Sequence, residues 1–281
     1  MTAWHSVPRT ATAVVVVLAM ALSACSTSAA PATSTAAAPS AVGHVDLTIY
    51  GAASLKGALD KIKAIYETAA PGATLTISTD SSAALEMQIE QGAPADVFLS
   101  ADTATPQKLV DKALTTGSET AFAGNTLTVI VPTANRAGVL TPADLARTGV
   151  KVIAAGDAVP ISRYAGQLVA NLAERPGYPT GFAAAYAANI VSKEDSVAAV
   201  VAKIETGDGD GAIVYVTDAK KSPKVATVPV PDGANVPATY AGVVLRSSAH
   251  PDAAKAFVAW LTGTDGRAVL GSLGFLPPPA S

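Results

Sequence analysis

Thiol chemistry has almost no place in this sequence. The 281 residues include one cysteine, Cys25, and it directly follows an N-terminal apolar run. If Cys25 carries the lipid proposed below, the rest of the mature chain has no thiol. Disulfides, thiolate metal sites and cysteine catalysis are therefore excluded for the folded part.

Clusters of positive charge and of histidine are also missing. The formal net charge is −3 and no run of lysine or arginine occurs, which argues against nucleic-acid binding. After the N-terminal region the histidines are His44 and His250, neither near a serine motif, and no Gly-x-Ser-x-Gly sequence is present. A serine hydrolase using Ser54 or Ser82 is thus the weakest function considered. Ligand clusters suited to iron are absent from the turns as well.

The sequence has one notable apolar run near the N-terminus. A polar start containing Arg9 is followed by an apolar run over residues 11–22. This run is too short for an ordinary membrane span and has the proportions of a secretory signal. The sequence Leu-Ser-Ala-Cys at 22–25 resembles the bacterial lipobox, which implies cleavage before Cys25 and lipid attachment to it. The alternative is a plain signal peptide with an incidental cysteine.

The N-terminal region is therefore expected to form two segments. Residues 1–24 are predicted to be a lipoprotein signal peptide. Residues 25–43 are predicted to be the lipidated cysteine and a flexible tether of Ala, Ser, Thr and Pro, a composition that cannot bury a core. We expect an exported domain in the cell envelope, anchored to the outer face of the cytoplasmic membrane.

From residue 44 onward, short apolar strands alternate with helical patterns. This alternation predicts an α/β fold with largely parallel sheets, and the apolar content suffices for one large or two medium domains. Two β-prone runs, 125–132 and 240–245, are predicted to be long strands that connect two α/β lobes across a hinge and a cleft. The predicted lobe 1 is 44–124 plus 240–281, and lobe 2 is 125–239.

The stretch 49–59 predicts a buried strand that runs into a helix, with Ser54 at the N-cap. Such a junction brings free N–H groups, a hydroxyl and the positive end of a helix dipole to one point, which is a candidate seat for an anion. The apolar positions expected to face the core are Leu55, Ala58, Leu59, Ile62 and Ile65.

Similar junctions occur at Ser82, at Ile161–Ser162 and at Ser196–Val197, where Ser196 is the predicted N-cap, so each half of the chain carries two. If all four point into one cleft, they offer several N–H donors and two serine hydroxyls. Each bond to an ionised acceptor contributes roughly 1.5–3 kcal/mol, enough together to hold a small dianion without a buried cation. The alternative is that these serines are ordinary caps worth about 1 kcal/mol, and that Tyr215 is a core residue with its hydroxyl at the surface.

These residues lie in segments that resemble the periplasmic molybdate-binding proteins of ABC importers. The similarity runs in consistent order from His44 to Phe275. The segments that carry it are 51–55 (GAASL), 81–82, 85, 88–102 (QIEQGAPADVFLSAD), 124–127 (GNTL), 156–157 with 159–160, 212–215 (AIVY) with 218–219, and 271–275 (GSLGF).

The resemblance implies a type II periplasmic-binding-protein fold, with two α/β lobes, two crossing strands and an interlobe cleft. It implies a binding protein, not an enzyme, that captures molybdate and also tungstate and delivers it to an ABC permease. The oxyanion would be held by neutral donors, with no cofactor and no direct protein ligand to molybdenum. A monomer is expected. The same fold could instead serve another oxyanion, such as sulfate or phosphate.

The family motifs assign a role to five residues of this sequence. Ser54 and Ser82 would each give a backbone N–H and a hydroxyl to the oxyanion. Ile161 and Val197 would give backbone N–H groups, and Tyr215 would give its phenol.

Two departures from the family pattern affect the third junction. The turn between Asp157 and Val159 is shorter than usual, so the donor could be Ile161 or Ser162. Arg163 stands where the family usually has an uncharged residue. One hypothesis places it at the cleft rim, where it steers anions; the alternative is a solvated arginine on a helix face.

Asp80 also requires explanation, because a carboxylate pointing into the site would repel a dianion. We expect Asp80 to point away and to cap or flank the Ser82 turn.

Overall fold

The structure, a computed structural model, describes residues 44–279. The predicted signal peptide (1–24), the lipidation of Cys25 and the tether to residue 43 lie outside the described residues. Between residues 44 and 279 no helix is both long and apolar enough to cross a membrane.

Strands and helices alternate along most of the described chain. The strands are β1 Val45–Ala52, β2 Ala73–Asp80, β3 Val97–Ser100, β4 Thr120–Asn125, β5 Leu127–Pro132, β6 Val152–Ala155, β7 Ile190–Glu194, β8 Ala212–Tyr215, β9 Val225–Val228 and β10 Ala238–Val244. The helices are α1 Lys56–Ala69, α2 Ser82–Glu90, α3 Ala104–Asp111, α4 Pro160–Ala173, α5 Phe182–Ala188, α6 Val197–Thr206, α7 Val216–Lys221, α8 Pro251–Thr262 and α9 Thr264–Ser272.

The largest sheet has five strands in the order β2-β1-β3-β10-β4. Strand β1 is parallel to β2 and β3, whereas β10 is antiparallel to β3 and β4. The register pairs Ala52 with Asp80, so β1 and β2 end at the same edge of the sheet. The turns that carry Ser54 and Ser82 therefore leave the sheet side by side.

Two smaller sheets are built from residues 127–228. Strands β8-β5-β9 form a three-stranded sheet in which β5 is antiparallel to both neighbours, and β6 pairs with β7 in parallel. The expectation of largely parallel sheets is right for β1–β3 and for β6–β7, but it is wrong for the three-stranded sheet and for both pairings of β10 in the large sheet. Apolar periodicity identifies a buried strand without indicating which neighbour it pairs with or in which direction.

The chain passes between the large sheet and the smaller ones twice. The predicted continuous strand 125–132 is interrupted at Thr126, which separates β4 from β5. The predicted strand 240–245 begins earlier, at Ala238, and ends at Val244. In the return segment before β10, the Asn235 side chain accepts from the Leu127 N–H at 2.9 Å and donates to the Leu127 carbonyl at 2.7 Å. This amide satisfies both backbone groups of Leu127. The lobe boundaries at 124/125 and 239/240 stay a prediction.

Helix α1 packs on the large sheet through the face expected from the sequence, with one difference. Leu55, Ala58, Leu59 and Ile62 are buried as expected, but Ile65 is 36% exposed. The buried residue at this end is Tyr66, which lies four positions after Ile62 and therefore on the same helix face.

Candidate functional site

The first serine turn differs from the predicted capped helix. Ser54 lies inside a 3₁₀ turn, Ala53–Leu55, and α1 begins only at Lys56 with Leu55 as its N-cap. The prediction that Ser54 caps the helix is therefore wrong, because the extra turn precedes α1 and places Ser54 one residue before the N-cap. Its side chain is buried and lies 3.0 Å from the Tyr240 hydroxyl.

At the second turn, the helix cap and the predicted site residue are two adjacent serines. Ser81 is the N-cap of α2, and its hydroxyl accepts from the Ala84 N–H at 3.2 Å. Ser82 is the first helical residue, and its hydroxyl accepts from the Ala101 N–H at 3.1 Å. Asp80 flanks the turn, as expected, and its carboxylate accepts from the Ser81 N–H at 2.7 Å.

At the third junction the structure separates the two candidate donors. Val159 is the N-cap of α4 and Ile161 is its second residue. The Ser162 hydroxyl lies 2.9 Å from the Ala155 carbonyl, and the Ser162 N–H donates to the Val159 carbonyl at 2.9 Å. Both donors of Ser162 are thus engaged with nearby backbone, which favours Ile161 as the residue that faces a ligand.

The fourth junction and Tyr215 complete the set. Ser196 caps α6 by accepting from the Ala199 N–H at 3.3 Å, which confirms the predicted cap and makes Val197 the first helical residue.

Tyr215 ends β8, and its hydroxyl lies 3.5 Å from the Ala101 carbonyl. The ring and hydroxyl are buried, so the hydroxyl does not reach the surface. Burial is the main cause that raises the pKa of Tyr215 well above 10, and the phenol therefore stays a proton donor at neutral pH.

All five residues line one small cavity. Helices α2, α4 and α6 begin at its wall, so their first N–H groups and the positive ends of their dipoles surround it. No side chain that lines this cavity within the described residues is charged. The lining residues are Ala52, Ala53, Ser54, Ser81, Ser82, Ala101, Val159, Pro160, Ile161, Val197 and Tyr215. That the predicted five bind an oxyanion stays a proposal.

Sequence reasoning missed the polar groups behind the cavity wall. Lys221 of α7 donates its ammonium to the Ser54 carbonyl and lies 3.4 Å from the Asp218 carboxylate. Burial raises the pKa of Asp218 to about 6, although Lys221 opposes the shift. Asp218 lies in a segment that resembles the family. Nothing in the sequence indicates that Lys221 and Tyr240 lie near the site, because a helix lysine and a strand tyrosine are ordinary structural residues.

Arg163 has a partner that neither interpretation included. Its guanidinium lies 3.3 Å from the carboxylate of Asp102, in the loop after β3. Asp102 is buried and also accepts from the Thr105 N–H at 2.9 Å. The ion pair therefore connects α4 to the large sheet beside the cavity.

Two further kinds of group bear on the chemistry of the site, namely clusters of metal-ligating side chains and the histidines. Over residues 44–279 no group of three or more His, Cys, Asp or Glu side chains could hold a metal ion. The imidazole of His44 lies 2.9 Å from the Thr74 hydroxyl, and no histidine lines the cavity in the described part of the chain.

Most of the chain is similar to known proteins. The family model for bacterial extracellular solute-binding proteins matches residues 47–276. The molybdate-binding protein ModA of Mycobacterium tuberculosis H37Rv is 34% identical over 237 residues, 84% of this chain and 86% of that protein.

Two solved structures are similar in fold. The periplasmic molybdate-binding protein of Azotobacter vinelandii has a TM-score of 0.69 at 24% identity, covering 83% of this chain and 100% of that one. The sulfate-binding protein SubI of M. tuberculosis has a TM-score of 0.74 at 18% identity, covering 83% and 87%. At these identities the likeness concerns the fold and leaves the ligand open.

Proposed function

Because this chain belongs to the bacterial extracellular solute-binding protein family, we propose that it captures molybdate outside the cytoplasmic membrane and delivers it to an ABC permease. Proteins of this kind bind solutes for transport and are generally not enzymes. The predicted fold is confirmed: the chain has the type II periplasmic-binding-protein fold. The 34% identity to a molybdate-binding protein supports the ligand, and tungstate, which has the same shape and charge, is proposed as a second ligand.

The observation that carries the proposal is the uncharged cavity lined by the five predicted residues. The cavity is small and is enclosed by eleven residues, so it suits a ligand of few atoms. A dianion there would accept from the hydroxyls of Ser54, Ser82 and Tyr215. It would also accept from the backbone N–H groups of Ser54, Ser82, Ile161 and Val197. Hydrogen bonds from neutral donors to an ionised oxygen each contribute about 1.5–3 kcal/mol. In this arrangement molybdenum contacts only its own oxygens, and no cofactor is needed.

Selectivity against sulfate would come from size. Sulfate and molybdate carry the same charge and the same tetrahedral arrangement of acceptors, so the donors cannot distinguish them by chemistry. A ring of donors spaced for the larger anion leaves the smaller one with lengthened, weaker bonds.

Isothermal titration with molybdate, tungstate, sulfate and phosphate tests the ligand. We expect molybdate and tungstate to bind tightly and sulfate and phosphate at least about tenfold more weakly, which corresponds to a difference of about 1.4 kcal/mol. Sulfate or phosphate binding as tightly as molybdate would overturn the proposed ligand and favour a receptor for that oxyanion.

We also propose that the mature protein is a lipoprotein held at the outer face of the cytoplasmic membrane through Cys25, and that it acts as a monomer. The support is the lipobox-like sequence and the presence of all five site residues in one chain. Replacing Cys25 by Ser should abolish labelling of the protein by radioactive palmitate, with Ser26→Ala as the matched control that stays labelled. Labelling of Cys25→Ser, or no labelling of the wild type, would contradict lipid attachment to Cys25.

A further inference from the structure

The Asn125 side chain sets the direction of a hydrogen-bond chain behind the cavity. The Thr126 N–H can only donate, and it donates to the Asn125 side chain at 3.0 Å, so this atom is the carbonyl oxygen Oδ1. The amide nitrogen Nδ2 must then point the other way. It lies 2.8 Å from the Thr217 hydroxyl and 3.4 Å from the Tyr240 hydroxyl. An amide NH₂ group has no acceptor, so Asn125 donates to both.

The Tyr240 hydroxyl receives that bond and passes one on. The Tyr240 oxygen accepts from Asn125. Its single proton is donated to the Ser54 Oγ, which lies 3.0 Å from the Tyr240 oxygen. Tyr240 is fully buried, so a proton without an acceptor there would be costly. Burial, aided by the nearby Asp218, also holds the pKa of Tyr240 well above 10, so the proton is present at neutral pH.

Ser54 is thereby left with one free donor. Its oxygen accepts from Tyr240, so its own proton points elsewhere, and Ser54 lines the cavity. Ser82 is arranged in the same way with a different partner, because its oxygen accepts from the Ala101 N–H. In both serines the hydroxyl oxygen accepts a hydrogen bond from a fixed donor, which leaves the hydroxyl proton for another partner. For Ser82 the donor to the hydroxyl oxygen is the Ala101 backbone N–H, and for Ser54 it is the Tyr240 hydroxyl.

We propose that Tyr240, supported by Asn125, is a positioning residue that turns the Ser54 hydroxyl proton toward the bound oxyanion. The inference rests on the proposed function in that the cavity must bind an oxyanion, though not molybdate in particular. Without the Tyr240 proton, the Ser54 hydroxyl can rotate back and donate to another oxygen, and part of its contribution to affinity is lost. Tyr240 itself does not line the cavity and acts only through Ser54.

A double-mutant cycle measured by isothermal titration with molybdate tests this role. Tyr240→Phe keeps the ring and its edge-to-face contact with Phe275, whose centroid lies 5.5 Å away. We expect it to weaken binding about 3- to 10-fold, and Ser54→Ala to weaken it about 10- to 100-fold. In the Ser54→Ala background, Tyr240→Phe should change the affinity less than about twofold, because the hydroxyl that it orients is gone.

The cycle separates positioning from a general structural effect. If Tyr240→Phe weakens binding equally with and without the Ser54 hydroxyl, or not at all, the proposal is overturned. Tyr66→Phe, a buried tyrosine packed against Phe257, is the control for losing a phenol elsewhere, and it should leave the affinity unchanged. Thermal unfolding of each ligand-free variant checks that it is folded. Should Tyr240→Phe fail to fold, Asn125→Ala in the same two backgrounds tests the support that Asn125 gives to Tyr240, and an equal effect with and without the Ser54 hydroxyl, or no effect, would overturn the proposal.

The outcome is also distinguishable from failure of the proposed function. If the wild-type protein binds sulfate or phosphate in place of molybdate, the proposed ligand fails and the cycle is measured with the oxyanion that binds. If none of the four oxyanions binds, both proposals are overturned.

Discussion

At the scale of single residues, the Ser82 hydroxyl is a proposed donor to the oxyanion and also accepts a hydrogen bond from the protein backbone. Replacing Ser82 by Ala removes one donor to the oxyanion and leaves the Ala101 N–H without its partner. We expect the binding free energy to weaken by about 1–3 kcal/mol in isothermal titration. Ser196→Ala is the matched control, because that hydroxyl is used within its own helix. It should lower the free energy of unfolding by about 1 kcal/mol with little effect on binding. Unchanged affinity in Ser82→Ala would remove Ser82 from the proposed site.

At the scale of elements, the Arg163–Asp102 pair joins α4 to the loop after β3. The arginine is about half exposed, so the pair contributes at most about 1 kcal/mol. Because it links the two sides of the cavity, we expect Arg163→Ala to speed ligand release a few-fold and to change association little. Stopped-flow fluorescence at low ionic strength measures both rates.

The same experiment decides between the pairing and the steering hypothesis for Arg163. Lys193→Ala is the control, since it removes one positive charge from a pair with Asp157 on the exposed surface. A fall in the association rate that is specific to Arg163→Ala would support anion steering. An unchanged association rate would contradict steering, and an unchanged release rate would contradict the role of the pair in holding the cavity closed.

At the scale of the whole molecule, the buried Asp218 makes stability depend on pH. Burial raises its pKa from 3.8 to about 6. Between about pH 4 and pH 6 the folded chain therefore holds more protons than the unfolded chain, so this group's contribution to the free energy of unfolding falls as pH rises. The total loss is about 3 kcal/mol and is complete above about pH 6.

Asp218→Asn should remove this pH dependence. In urea unfolding, the stability of Asp218→Asn relative to the wild type is expected to improve by up to about 3 kcal/mol between pH 4 and pH 7. Between pH 7 and pH 8 the difference should stay level, which serves as an internal control. A difference that is constant from pH 4 to pH 7 would show that the carboxyl titrates normally in the folded protein.

Local sequence patterns were sufficient for much of the architecture. Strand and helix positions follow from apolar periodicity, and the Ser196 cap follows from its local context, because these features depend on residues a few positions apart. The cap assigned to Ser54 failed for a related reason, since periodicity does not distinguish a 3₁₀ turn from the first turn of an α-helix. The individual site residues were predicted from the family motifs. Composition and spacing alone predicted only that an anion could bind at helix N-termini.

What the sequence by itself determined is therefore the set of turns, the small and uncharged residues in them, and the absence of charge runs and thiols from the body. What only the tertiary structure decided is how those turns are connected. Tyr240 meets Ser54 across 186 positions, Lys221 meets Ser54 across 167, and Arg163 meets Asp102 across 61. Such contacts depend on the path of the whole chain, including the pairing of β10 with β3 and β4, and local backbone preferences carry no information about that path.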